Sequence, residues 1–136
     1  MKQDDIDDKI LGLLKNNSRS TNVEIAKNVG LTEGAVRNRI DHLVKNGAIT
    51  RFTIETSTKN SFFAIVMLKA RNETKKMMAE INESKLARDA YEISGDFDGC
   101  VIIEGNTLEE IDSKIDELRK LKDVSDTKTF ISLKRW

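Results

Sequence analysis

Residues 20–47 read STNVEIAKNVGLTEGAVRNRIDHLVKNG, and their spacing decides how the first third of the chain folds. Thr21 and Glu24 stand at capping-box spacing, so each can satisfy a backbone N–H that the first helical turn leaves without a partner. Ile25, Val29 and Leu31 supply apolar weight, and Ala26 is small enough for a crossing helix to approach. Gly30 can take the left-handed conformation that ends a helix. Thr32 then caps a second helix, in which Val36, Ile40, Leu43 and Val44 fall at i, i+4, i+7 and i+8 as one inward apolar stripe. Opposite them lie Glu33, Gly34, Ala35, Arg37, Asn38 and Asp41, all polar or small. The connection is too short for an ordinary antiparallel helical hairpin. Together with the spacing of Ala26, Gly30 and Val36, it points to a helix-turn-helix whose second helix offers side chains to something outside the protein.

Working outward, Ile6, Ile10, Leu13 and Leu14 are at helical spacing behind Asp4, Asp5, Asp7 and Asp8, where a helix N-terminus favours negative charge. Asn16 and Asn17 can end this first helix, which closes the core beneath the other two. Asn46-Gly47 is a turn signal, and residues 48–54, AITRFTI, alternate as a strand would. The expectation is a winged three-helix module over residues 1–54 and a polar linker, ETSTKNS, over residues 55–61.

Beyond the linker the texture changes. All seven aromatic residues lie at or after Phe52. Apolar or alternating runs at residues 62–70, 90–94, 100–104 and 124–133 predict four strands. Between them, a helix over residues 74–84 turns Met77, Met78 and Ile81 inward. A second begins at the capping box Thr107 and Glu110 and repeats Leu108, Ile111, Ile115, Leu118 and Leu121. Strand, helix, strand, strand, helix, strand is the ferredoxin-like order, so the fold class is α+β: a winged helix-turn-helix, then a βαββαβ domain over residues 62–136. Two helices cover one sheet face. The other face is most simply hidden against a second copy.

Composition narrows the chemistry. The 136 residues carry 23 basic and 23 acidic side chains, a net charge of zero, which disfavours a protein that merely coats nucleic acid. A single cysteine, Cys100, allows no intramolecular disulfide and no zinc cluster, so neither metal nor cofactor is expected and a reducing cytoplasm is the simple compartment. The acidic N-terminus is unlike a signal peptide, and no apolar run approaches a membrane span.

The chain resembles the Lrp/AsnC family of transcription regulators over essentially its whole length. The resemblance is carried by Asp5, Asp8, Lys9, Ile10 and Leu11; by Val23-Glu24-Ile25-Ala26-Lys27 with Val29-Gly30-Leu31; and by Val36, Arg39, Ile40, Leu43, Gly47 and Ile49. Ser94-Gly95-Asp96-Phe97-Asp98 and Val124, Thr127 and Thr129 complete it. It implies dimers joined through the C-terminal sheets, often assembled into octamers, with an amino-acid effector between C-terminal domains. Arg51-Phe52-Thr53-Ile54 and the Arg135-Trp136 ending look most like an archaeal branch that includes a lysine-biosynthesis regulator, making lysine a candidate effector. The family often has proline early in its recognition helix, where this chain has Glu33 and Ala35.

For double-stranded DNA, small Gly34 and Ala35 beside Glu33 let the helix end enter a major groove. Arg37 can reach guanine O6 and N7, and Asn38 can bond adenine bidentately. Arg39 is placed to hold either a phosphate or a carboxylate such as Glu24. Lys27, Lys45 and Arg51 are candidate phosphate contacts, although each also reads as a solvated surface charge. For the effector, Gly95-Asp96-Phe97-Asp98-Gly99 sets two carboxylates in a glycine-flanked loop that can meet an ammonium and offer N–H groups to a carboxylate. Thr127 and Thr129 can add hydroxyls, and Tyr91 a wall. By chemistry alone this loop is more often a hairpin turn; the resemblance favours the pocket. An effector-independent DNA-packaging protein and a siroheme-decarboxylase-like enzyme are the alternatives. The sole histidine, His42, lies in the recognition helix and has no catalytic partner nearby in sequence.

Overall fold

The computed structural model describes residues 2–57 and 61–136, which form two compact units, Met1–Thr56 and Ser57–Trp136. Residues 58–60, part of the expected linker, lie outside the described residues.

The first unit holds α1 (Asp5–Asn16), α2 (Asn22–Val29) and α3 (Glu33–Lys45). Each starts where a side chain satisfies the first turn. Asp4 and Asp7 form a reciprocal capping box on α1, Thr21 and Glu24 do so on α2, and Thr32 Oγ1 accepts from Ala35 N on α3. Gly30, at φ 71°, ends α2 in the left-handed conformation, and both Gly30 N and Leu31 N donate to the Ala26 carbonyl. The turn between α2 and α3 is thereby fixed by backbone bonds. Ile10, Ile25, Ala26, Val36 and Leu43 form the buried core, with Ile6, Leu14, Val29, Leu31 and Ile40 packed around it.

Two expectations change here. Val44 is 45% exposed rather than part of the inward stripe. At 100° per residue, Leu43 lies about 20° from Val36 around the helix but Val44 about 80°, beyond the edge of the contact. Residues 48–54 form no strand: Ile49 N donates back to the Leu43 carbonyl, and residues 50–57 carry no ladder. A strand requires a pairing edge, and this three-helix unit offers none.

The second unit contains β1 (Phe62–Ala70), α4 (Thr74–Ser84), β2 (Asp89–Glu92), β3 (Gly99–Gly105), α5 (Leu108–Arg119) and β4 (Val124–Ile131). The sheet is antiparallel with order β2-β3-β1-β4, the ferredoxin-like arrangement. Ala64, Val66, Leu68, Val101 and Ile103 point to the helix layer, where Met77, Ile81, Ile111, Ile115 and Leu118 complete a continuous core. Met78 packs at its margin. Leu108, expected in the inward repeat, is half-exposed on the first turn of α5. The opposite sheet face carries Phe63, Ile65 and Met67 of β1, Cys100 and Ile102 of β3, Tyr91 of β2 and Phe130 of β4. Ile65 is 40% and Phe130 48% exposed.

Candidate nucleic-acid interface and effector loop

The outer face of α3 presents Arg37 and Asn38 as exposed side chains, with Gly34 and Ala35 keeping the first turn slim. Arg37 is not idle. Its guanidinium forms an ion pair with Glu33, one helical turn earlier. This contact holds the Glu33 carboxyl below its ordinary range, with desolvation opposing, and raises Arg37 further above its own. Lys27 on α2, Lys45 at the end of α3 and Arg51 are exposed; Arg51 lines a groove with Leu11, Leu14 and Phe52.

Arg39 is placed differently from the expected DNA contacts. Its Nη1 donates to both Asp4 carboxylate oxygens at 2.8 Å and to Asp7 Oδ1 at 3.0 Å. The guanidinium of α3 therefore closes onto the capping box of α1. Asp4, by its hydrogen bond with Arg39 first and the Asp7 N–H second, is held below the usual carboxylate range. Asp7 is the one buried charged residue among those described, 7% exposed. With three charge-assisted bonds inside the protein, Arg39 is a helix clamp. Nor is Glu24 its partner, since that carboxylate accepts from Thr21 N.

In the second unit the loop after β2 carries Gly95 at φ 116°, the exposed Asp96, and the Phe97 ring under Lys69 Nζ at 5.6 Å. Asp98 is tied into the sheet. Its Oδ2 accepts from Ala70 N at 2.8 Å, its N–H donates to Leu68 O, and its carbonyl accepts from Ile93 N. Ala70 sits where the β1–β4 register shifts, so the carboxylate fills a gap in the ladder.

Thr127 lies at the same end of the sheet as this loop, because Leu68 pairs with Gly99 on one side and Thr127 on the other. Its hydroxyl faces the helix layer and accepts from Arg119 Nε at 3.2 Å. Thr129 Oγ1 is sealed from solvent and has no partner among the described residues, so it cannot touch a ligand as placed. Tyr91 projects from the other sheet face on the far edge strand. The structure therefore groups Gly95, Asp96, Phe97, Asp98 and Thr127, and leaves Tyr91 and Thr129 apart. Sequence reasoning offered Arg39 a carboxylate partner but not Asp4 or Asp7, and it missed the Ala70 bond; the only local signal was the Asp4-x-x-Asp7 spacing at the start of α1.

Comparison with known proteins matches residues 3–50 to a winged helix-turn-helix DNA-binding model and residues 62–136 to the Lrp/AsnC ligand binding domain. The chain belongs to the Lrp/AsnC family. It is a DNA-binding transcriptional regulator with a ligand-binding domain. Two relatives named HTH-type transcriptional regulator LysM span it almost fully. That of Saccharolobus solfataricus is 37% identical over 98% of this chain and 95% of its own length. That of Sulfurisphaera tokodaii is 36% identical over 98% and 96%. The same fold occurs in a feast or famine regulatory protein from M. tuberculosis solved with L-methionine, at TM-score 0.81 and 19% identity over 98% of this chain and 93% of that one. Among the described residues no helix is long and apolar enough to cross a membrane.

Proposed function

We propose that this Lrp/AsnC regulator controls genes of amino-acid metabolism by binding a two-fold DNA site as a homodimer through α3. We propose further that a free amino acid bound between C-terminal domains modulates it. The observation that carries the DNA reading is the outer face of α3, where Arg37 and Asn38 project beside Gly34 and Ala35. A guanidinium and an amide at adjacent positions suit bidentate contacts to guanine and adenine, while Lys27, Lys45 and Arg51 serve phosphates. Two copies double the few base pairs one helix can read. Residues 1–54 would act as the reading domain, 55–61 as the linker and 62–136 as the assembly and effector domain.

The relatives' name and the methionine-bound neighbour support an amino-acid effector, with lysine the first to test. Asp96 is the exposed carboxylate best placed for its ammonium, the loop N–H groups serving its carboxylate. The uncovered sheet face of Ile65 and Phe130 supports pairing with a second copy. Footprinting of the wild-type chain on duplexes it enriches from a random-sequence library tests the DNA reading. Arg37→Ala and Asn38→Ala should each relax preference at one position of each half-site, at a cost of about 1 to 3 kcal/mol. Selections unchanged by both substitutions would refute the assignment of this face.

A further inference from the structure

We propose that Glu33 is a specificity-determining residue of the recognition helix: its ion pair with Arg37 withholds the guanidinium from backbone phosphates and yields it to base edges. The inference rests on α3 being the reading helix. Glu33, Arg37, Asp41 and Lys45 are spaced four apart, so they form one outer stripe of α3 whose signs alternate and cancel. Glu33 sits in the first turn, where the helix dipole favours a carboxylate, and it receives a further contact from Asn22 of α2. Asp41, one turn further along the same stripe, adds a weaker electrostatic pull on Arg37. The guanidinium is thus flanked by acids along the surface that would meet DNA.

An unpartnered arginine there would bind any phosphate, releasing counterions whatever the sequence. In this chain, moving Arg37 to a phosphate abandons one carboxylate and brings the phosphate close to two. A guanine edge carries no net charge and offers O6 and N7, and the cytosine amino group can donate to Glu33 in return. Both members of the pair can be satisfied together at a step presenting two acceptors and a donor, which is a G·C-containing step. Phosphates give no such exchange.

The test uses the full chain, a duplex enriched from a random-sequence library by the wild-type protein, and a random-sequence duplex as the non-specific probe. Dissociation constants are measured across a potassium chloride series. Glu33→Gln is expected to reduce the ratio of enriched to random affinity by about two- to fivefold, the scale of one exposed ion pair. It should also steepen the salt dependence on the random duplex by about one phosphate contact. Adding Arg37→Ala should abolish both changes, and Glu33→Asp, which keeps the charge and the helix start, should restore wild-type selectivity. Asp41→Asn gives a smaller shift of the same sign. Unchanged ratio and slope in Glu33→Gln, while Arg37→Ala still weakens the enriched duplex, overturn this inference alone. If Arg37→Ala leaves the enriched duplex as tightly bound as before, this inference falls; if Asn38→Ala also does, or no duplex is enriched, the reading of α3 falls with it.

Discussion

Replacing Asp98 by alanine should damage the C-terminal unit whether or not any effector is present. Asp98 Oδ2 is the acceptor for the Ala70 N–H at 2.8 Å, at the position where the β1–β4 register shifts. Alanine leaves that half-buried donor without its partner, a loss of about 1 to 3 kcal/mol. For a unit of this size, each kcal/mol moves the melting point by about 4 to 8 °C, so a fall of about 4 to 24 °C is expected. Asp98→Asn retains a carbonyl oxygen for the Ala70 N–H while removing the charge, and should recover most of the loss. Asp96, exposed on the same loop, should tolerate alanine within about 0.5 kcal/mol. Differential scanning calorimetry of the full chain reads all three. Effector binding measured on Asp96→Asn and Asp98→Asn then reports charge rather than loop collapse. An Asp98→Ala protein that melts with the parent, or an Asp98→Asn protein that melts as low as Asp98→Ala, would exclude the Ala70–Asp98 bond as a stabilising contact.

Arg39→Met should loosen α3 from α1, weakening enriched and random duplexes in equal proportion and leaving the salt dependence of DNA binding unchanged; a flattened salt slope would instead make Arg39 a phosphate contact. Because Arg39 holds the Asp4 carboxyl below its ordinary range, that contribution to stability is complete above the usual aspartate pKa and is lost as pH falls through the lowered value. The melting difference between wild type and Arg39→Met should accordingly be full at neutral pH and vanish in acid. On the uncovered sheet face, Ile65→Asp should shift sedimentation velocity profiles toward monomer while preserving the circular dichroism of the wild type, and an unchanged oligomer would exclude this face as the interface.

The elements whose signals are local were legible in the sequence. The apolar run of β1 and the helix over Thr74–Ser84 need no distant partner to be seen, and the Thr21–Glu24 capping box and left-handed Gly30 are fixed within a few residues. What escaped depends on contacts far apart in the chain. Arg39 and Asp4 are 35 residues apart, so nothing near either one says that they meet. Asp98 reads as one of two equivalent loop carboxylates until the register shift at Ala70 supplies a donor for it alone. Residues 48–54 alternate as a strand should, yet alternation specifies a face and cannot provide a pairing edge. Thr127 and Thr129 share a strand face, as period-two spacing requires, but which face that is depends on pairing with Leu68 and Val66. The DNA face of α3 was legible in residue types; its internal Glu33–Arg37 pairing adds the electrostatics.

The proposed coupling links sequence-specific DNA binding by α3 to an amino acid held by the C-terminal unit. It is tested most directly by titrating the full chain with its enriched duplex and with a random-sequence duplex, alone and with each of the twenty amino acids at millimolar concentration. The enriched duplex should bind far more tightly, and at least one amino acid should change its affinity by about fivefold or more, an effect lost in Asp96→Asn. Equal affinity for the two duplexes, or an enriched-duplex affinity that none of the twenty alters, would contradict it.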